Sequence, residues 1–130
     1  MSAKARFTFV RASEAMKEWA SALGAELLAW PSVTSRLMFG MTVYYRKGVV
    51  FAALPKTRCF ETSHSVAFKL NQTGQRTRKM LESDPRIATP VRPNAKWIIF
   101  ELAGDKDLAG ALKWFDVAYG ACSSKTRPKR

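Results

Sequence analysis

Apolar residues recur at helical spacing between Ser13 and Ala29, where Met16, Trp19, Ala20, Leu23, Leu27 and Leu28 form one stripe. Ser13 is placed to cap this helix and Glu14 lies near the positive end of its dipole. Pro31 stops it, having no N–H to continue the ladder. Two runs rich in β-branched and aromatic residues follow, Thr42 to Arg46 and Val49 to Leu54, separated only by Lys47 and Gly48. That pattern predicts an antiparallel hairpin, with Gly48 supplying the positive φ of a tight turn. The second strand is apolar on both faces, which predicts a central position in a sheet, and Pro55 ends it.

Ser65 to Leu70 alternates, with Val66, Phe68 and Leu70 facing the core and Ser65, Ala67 and Lys69 facing out. A short helix is expected from Thr73 to Ser83, with Thr77, Met80 and Leu81 inward. Residues 85–95 carry Pro85, Pro90 and Pro93 and read as a stiff connection. Lys96 to Leu102 reads as a further strand, with Ile98, Phe100 and Leu102 on one face. The last helix runs from Lys106 to Ala121, capped by Asp105, with a stripe of Leu108, Ala111, Leu112, Phe115, Ala118 and Tyr119. The order is helix, hairpin, strand, helix, strand, helix. It predicts an α+β single domain, an antiparallel sheet with helices packed on it. The domain spans residues 13–122, between an N-terminal arm (1–12) and a flexible basic tail (123–130).

Composition agrees with one packed core. The chain has 130 residues, 47% of them hydrophobic and 12% aromatic, which suits a single domain and argues against global disorder. No apolar run approaches the ~20 residues of a membrane-spanning helix. No apolar block follows the basic start, so a cytoplasmic location is expected. Cys59 and Cys122, widely separated, read as free thiols.

Charge changes the picture more. The net charge is +12. It is concentrated in residues 36–96, which hold 12 basic against 3 acidic residues, and in the tail after Ser124. Such a field attracts polyanions, a nucleic acid or an acidic protein, and it also serves plain solubility. The candidate phosphate contacts are Arg46 and Lys47 at the hairpin turn, and Arg76, Arg78 and Lys79 on the short helix. Arg86 and Arg92 lie beyond that helix, and Lys125, Arg127, Lys129 and Arg130 are in the tail. No reading helix or RNA-binding signature accompanies them, so sequence specificity is not implied.

Chemistry-bearing constellations are scarce. A cysteine enzyme would have to use Cys59 with the sole histidine, His64, five residues later; the bland reading is a semi-buried thiol beside a loop histidine. One histidine and two separated cysteines do not make a metal site, and Gly74 alone is no phosphate loop. No catalytic, cofactor or metal residues are therefore assigned, and an enzyme is not the favoured reading.

Pro31 to Gly40, containing Met38-Phe39-Gly40, leads into Val43-Tyr44-Tyr45-Arg46-Lys47-Gly48-Val49-Val50-Phe51-Ala52. This resembles the "MFG … Y … G … FA" signature of the TfoX (Sxy) N-terminal domain family, whose fold is like that of YjbR-type proteins. The resemblance covers residues 13–121 and includes the strand Ala67-Phe68-Lys69-Leu70. It departs at Met41, where family members carry a second glycine. It implies a compact α+β fold and a non-enzymatic regulatory or adaptor role through protein or nucleic-acid contact. Within it, Met38, Phe39, Gly40 and Gly48 read as a structural motif, Met38 and Phe39 anchoring the hairpin to the helices; a binding surface is the other reading. Two alternatives stay open. One is a small-molecule domain or unrecognised enzyme, with a pocket between the sheet and the Pro-rich connection near Tyr44, Trp97 and Arg92. The other is a homodimer formed through an exposed apolar sheet face.

Overall fold

Two X-Gly pairs dictate the centre of the fold. In the computed structural model, which describes residues 9–60, 62–70, 74–88 and 97–126, both pairs are two-residue hairpin loops. Phe39 (φ 54°) and Gly40 (φ 78°) join β2 (Val33–Met38) to β3 (Met41–Arg46). Lys47 (φ 50°) and Gly48 (φ 82°) join β3 to β4 (Val49–Pro55). Positive φ at both loop positions is the signature of the turn whose twist matches that of paired strands. The register follows, with Met38 opposite Met41 and Arg46 opposite Val49.

Two more strands, β6 (Ser65–Lys69) and β7 (Trp97–Glu101), complete an antiparallel sheet in the order β2-β3-β4-β6-β7. β4 is central, as its apolar faces predict. It also carries a bulge: Tyr44 pairs with Ala52 and Tyr45 with Val50, so Phe51 has no opposite residue. The extra residue lets Phe51, Ala52 and Leu54 all join the main core.

The helices cover one face of this sheet. α1 (Glu14–Leu28) is capped by Ser13, whose hydroxyl accepts the Met16 N–H at 3.1 Å, and runs unbroken through Gly24. It buries Met16, Ala20, Leu23 and Leu27, whereas Leu28, expected inward, is 52% exposed. α3 (Leu108–Thr126) buries Ala111, Trp114, Phe115, Ala118 and Cys122. Its stripe is rotated from the expected one because Trp114 points inward and Leu112 and Tyr119 only flank the core. α2 (Gln75–Ser83) buries only Leu81; Met80 is 43% exposed, a correction to its inward placement.

Several boundaries also differ from expectation. Phe9–Arg11, assigned to the arm, forms β1 and pairs antiparallel with β5 (Arg58–Phe60) as a separate two-stranded sheet. The junction is pinned by Ala12 N–H to Thr57 O (2.9 Å) and Ser13 N–H to Ser63 O (3.0 Å). α3 continues to Thr126, into the segment assigned to the flexible tail. Asp105–Asp107 form a 3-10 turn instead of the cap and first turn of that helix. Residues 85–88 meet β7 through a bridge between Ile87 and Phe100, and residues 89–95 lie outside the described residues.

The second face of the sheet is apolar as well. Met41, Val43, Ala53, Ala67 and Ile99 cluster there, buried, with Tyr45, Val50 and Trp97 around them. Ser65 and Ala67, expected to face solvent, are fully buried. A two-period pattern identifies alternate faces but not which of them meets water.

Candidate nucleic-acid interface

The basic side chains singled out in the sequence meet different fates. Arg46 is consumed inside the fold. Its guanidinium lies 3.9 Å from the Tyr119 ring centroid and donates to the Tyr119 carbonyl at 2.9 Å, tying the β3 end to α3. Arg86 is consumed too. Its guanidinium donates to both Asp84 carboxylate oxygens (Nε to Oδ1 3.0 Å, Nη2 to Oδ2 3.2 Å) and to Asp107 Oδ1 (3.2 Å), and lies over the Phe100 ring. Lys47 is exposed at its turn, and Arg76 and Lys79, three residues apart on α2, are exposed together. Arg78 beside them is half-buried. Lys125 lies on the last turn of α3, while Arg92, Arg127, Lys129 and Arg130 lie outside the described residues.

The Arg86 network makes stability depend on pH. Burial alone would raise the Asp84 carboxyl, but hydrogen bonds from Arg86 and Trp114 outweigh it and hold the group below its ordinary range. The Ala103 N–H, at 2.7 Å, holds the Asp107 carboxyl low against burial, with help from Arg86. Both groups bind a proton less readily in the folded chain than in the unfolded one. Their contribution is therefore complete above the unfolded carboxyl value of about 3.9 and is lost as pH falls through the folded values. Asp107→Asn should weaken the loss of stability below about pH 4, as read by urea unfolding across an acid series.

A second cationic group, absent from the sequence reading, arises from the small sheet. Arg11 and Arg58 are direct cross-strand partners of β1 and β5, and both are exposed. With Lys17 and Thr57 they line a cavity of about 460 Å³. Lys17 also lines an adjoining groove between α1 and β3–β4, with Lys56, Gly24 and Tyr44, and is bridged to Glu14 at 3.3 Å. Arg11 and Arg58 are 47 residues apart, so only the register of two three-residue strands shows that they are neighbours.

The turn at Phe39 is fastened to this group. The Gly40 carbonyl accepts three successive backbone N–H groups, from Lys56 (3.0 Å), Thr57 (2.9 Å) and Arg58 (3.1 Å). A Cβ on Gly40 would come within 2.8 Å of the Thr57 hydroxyl and 3.1 Å of Arg58 Cγ. Met38 and Phe39 lie outside the buried core that the helices form with the sheet, which corrects their expected packing against the helices: Phe39 is 77% and Met38 37% exposed. Gly40 is the residue of the three whose backbone is fastened to residues 56–58.

Comparison with known proteins gives no match: no family model matches the chain, and neither a curated protein nor a solved structure is significantly similar to it.

Other chemistry is poorly served. The Cys59 thiol is fully buried, and burial pushes its pKa up, with hydrogen bonding to Ser65 opposing weakly. A nucleophilic thiol needs the reverse. His64 is exposed on its loop, and neither Cys59 nor Cys122 is in a disulfide. Among the described residues no three metal-ligating side chains cluster, and no helix is long and apolar enough to cross a membrane. Tyr44 faces the helices whereas Trp97 packs on the opposite sheet face, so the two do not line one pocket, which corrects their pairing in the small-molecule reading.

Proposed function

We propose that the chain is a TfoX-like regulatory or adaptor domain that works by contacting nucleic acid through an unbalanced cationic surface. The observation that carries this reading is the scarcity of carboxylate partners. Among the described residues, only Lys17 and Arg86 sit within ion-pair distance of an acidic group. Arg11, Arg36, Lys47, Lys56, Arg58, Arg76 and Lys79 are exposed without one. Surface charges left in this state repel one another and are drawn to the phosphates of a polyanion, which releases condensed counterions on binding. The Met38-Phe39-Gly40 turn leading into Val43–Ala52 supports the kinship, and the cationic surface supports the mode of action.

Fluorescence anisotropy with labelled duplex DNA, single-stranded DNA and RNA tests the reading. Binding to at least one of them is expected near 50 mM salt, weakening by about 10³-fold or more toward 200 mM if six or more phosphates are engaged. Absence of binding to all three at low salt overturns it and points to an acidic protein partner, which the same basic surface would fit.

A further inference from the structure

We infer that the groove between α1 and β3–β4 binds an elongated organic carboxylate, its charged end at Lys17 and Lys56 and a hydrogen-bonding oxygen farther along at the Tyr44 hydroxyl. The inference goes beyond the nucleic-acid reading and does not depend on it.

The first support is a hydroxyl without a partner. Tyr44, on β3, is only 5% exposed. Its phenol lies beside Gly24 and lines the groove, and no group among the described residues hydrogen-bonds to it. A buried tyrosine hydroxyl normally has a partner, because water lost without replacement is costly. Phenylalanine would pack the same ring without that cost. Burial also pushes the phenol pKa up, so the group is a neutral hydrogen-bond donor at pH 7.

The second support is the room made for that hydroxyl. A Cβ on Gly24 would run into the Tyr44 hydroxyl oxygen. Gly24 lies in the interior of α1, where glycine weakens a helix relative to alanine. The helix gives up stability to admit a polar group that bonds to nothing in the described fold. The groove wall on α1 is continued by Ala20 and Ala25, and the space has a volume of about 570 Å³, within the range of small-molecule sites.

The lining selects the ligand. No acidic residue lines the groove among the described residues. Lys17 and Lys56 stand at the end where the start of α1 meets residues 56–57, a junction tied by the Ala12 N–H to the Thr57 carbonyl. Lys56 is exposed with no carboxylate within ion-pair distance, and Lys17 is held only by the exposed Glu14. Leu28, 52% exposed, lines the opposite end. Lys17 and Gly24 are about 10 Å apart along the helix axis, at a rise of about 1.5 Å per residue. The chemistry that fits is a carboxylate on an apolar chain, with a hydroxyl or carbonyl about 10 Å from the charge to take the Tyr44 hydrogen bond.

Titration calorimetry with ω-hydroxydecanoate, decanoate and decanediol, below their micelle-forming concentrations, tests this. The wild type should bind ω-hydroxydecanoate saturably, and decanoate roughly 2- to 12-fold more weakly, the value of one neutral hydrogen bond. Tyr44→Phe should abolish that difference by weakening ω-hydroxydecanoate alone, with decanoate unchanged. Lys17→Gln with Lys56→Gln should lower the affinity for ω-hydroxydecanoate to that for decanediol. Urea unfolding of each variant verifies that the fold survives. Absence of saturable ω-hydroxydecanoate binding to the wild type overturns the inference. So does a Tyr44→Phe variant that still prefers the hydroxylated acid, or one that loses decanoate equally, since the ring would then act through packing. Equal wild-type affinity for decanediol and ω-hydroxydecanoate overturns the anionic end.

Discussion

Phe115→Ala is expected to lower the free energy of unfolding by about 3–5 kcal/mol, the usual cost of truncating a fully buried phenylalanine. Phe115 is completely buried on α3, in the cluster that also holds Phe51, Phe68 and Phe100. The loss combines the transfer energy of the ring with a cavity that bulky neighbours close only in part. A domain of this size has about 5–15 kcal/mol in total, so the variant should be marginal at room temperature. Urea unfolding followed by circular dichroism should show a lower midpoint with an unchanged slope. Leu37→Ala is the control, since Leu37 is 65% exposed on β2 and its loss should stay within about 0.5 kcal/mol. A cost below about 1 kcal/mol for Phe115→Ala would mean that α3 does not pack as described.

Gly40→Val should be the most damaging substitution outside the core. A β-branched residue at φ 78° costs about 1–3 kcal/mol for the backbone conformation alone. Its Cβ would also displace the Thr57 hydroxyl and the Arg58 side chain, loosening the three hydrogen bonds on the Gly40 carbonyl. Gly48 separates the two effects. It has φ 82° but nothing within 4 Å of where a Cβ would stand, so Gly48→Val should cost only the backbone part, about 1–3 kcal/mol. Urea midpoints for the two variants should therefore differ, with Gly40→Val the lower. Equal midpoints would contradict the fastening of the turn to residues 56–58.

The elements readable from sequence were those whose pattern repeats along the chain. The α1 stripe from Met16 to Leu27 and the Lys47-Gly48 turn depend on neighbours a few residues away, and so does the alternation of Val66 and Phe68. β2 escaped because Val33–Met38 is an edge strand exposed along almost its whole length, so no alternation marks it. Its turn escaped because phenylalanine is an unusual occupant of the first loop position, where asparagine or aspartate would have announced a hairpin. β1 and β5 are three residues each and owe their existence to one another. The basic candidates were legible as charges but not as surfaces. Arg46 and Arg86 look no different in sequence from Arg11 and Arg58, yet the first two are held by Tyr119, Asp84 and Asp107 while the others face solvent. Their separation is a property of tertiary contacts, and no local spacing encodes it.

The most direct test of the central claim is the affinity of the wild-type domain for labelled duplex DNA, single-stranded DNA and RNA across a salt series. The account predicts, for at least one of them, a straight line of log K against log salt with a slope near −4 for a single strand or −5 for a duplex, corresponding to about six neutralised phosphates. Near-zero slopes, or no binding of any of the three at the lowest salt, would contradict it.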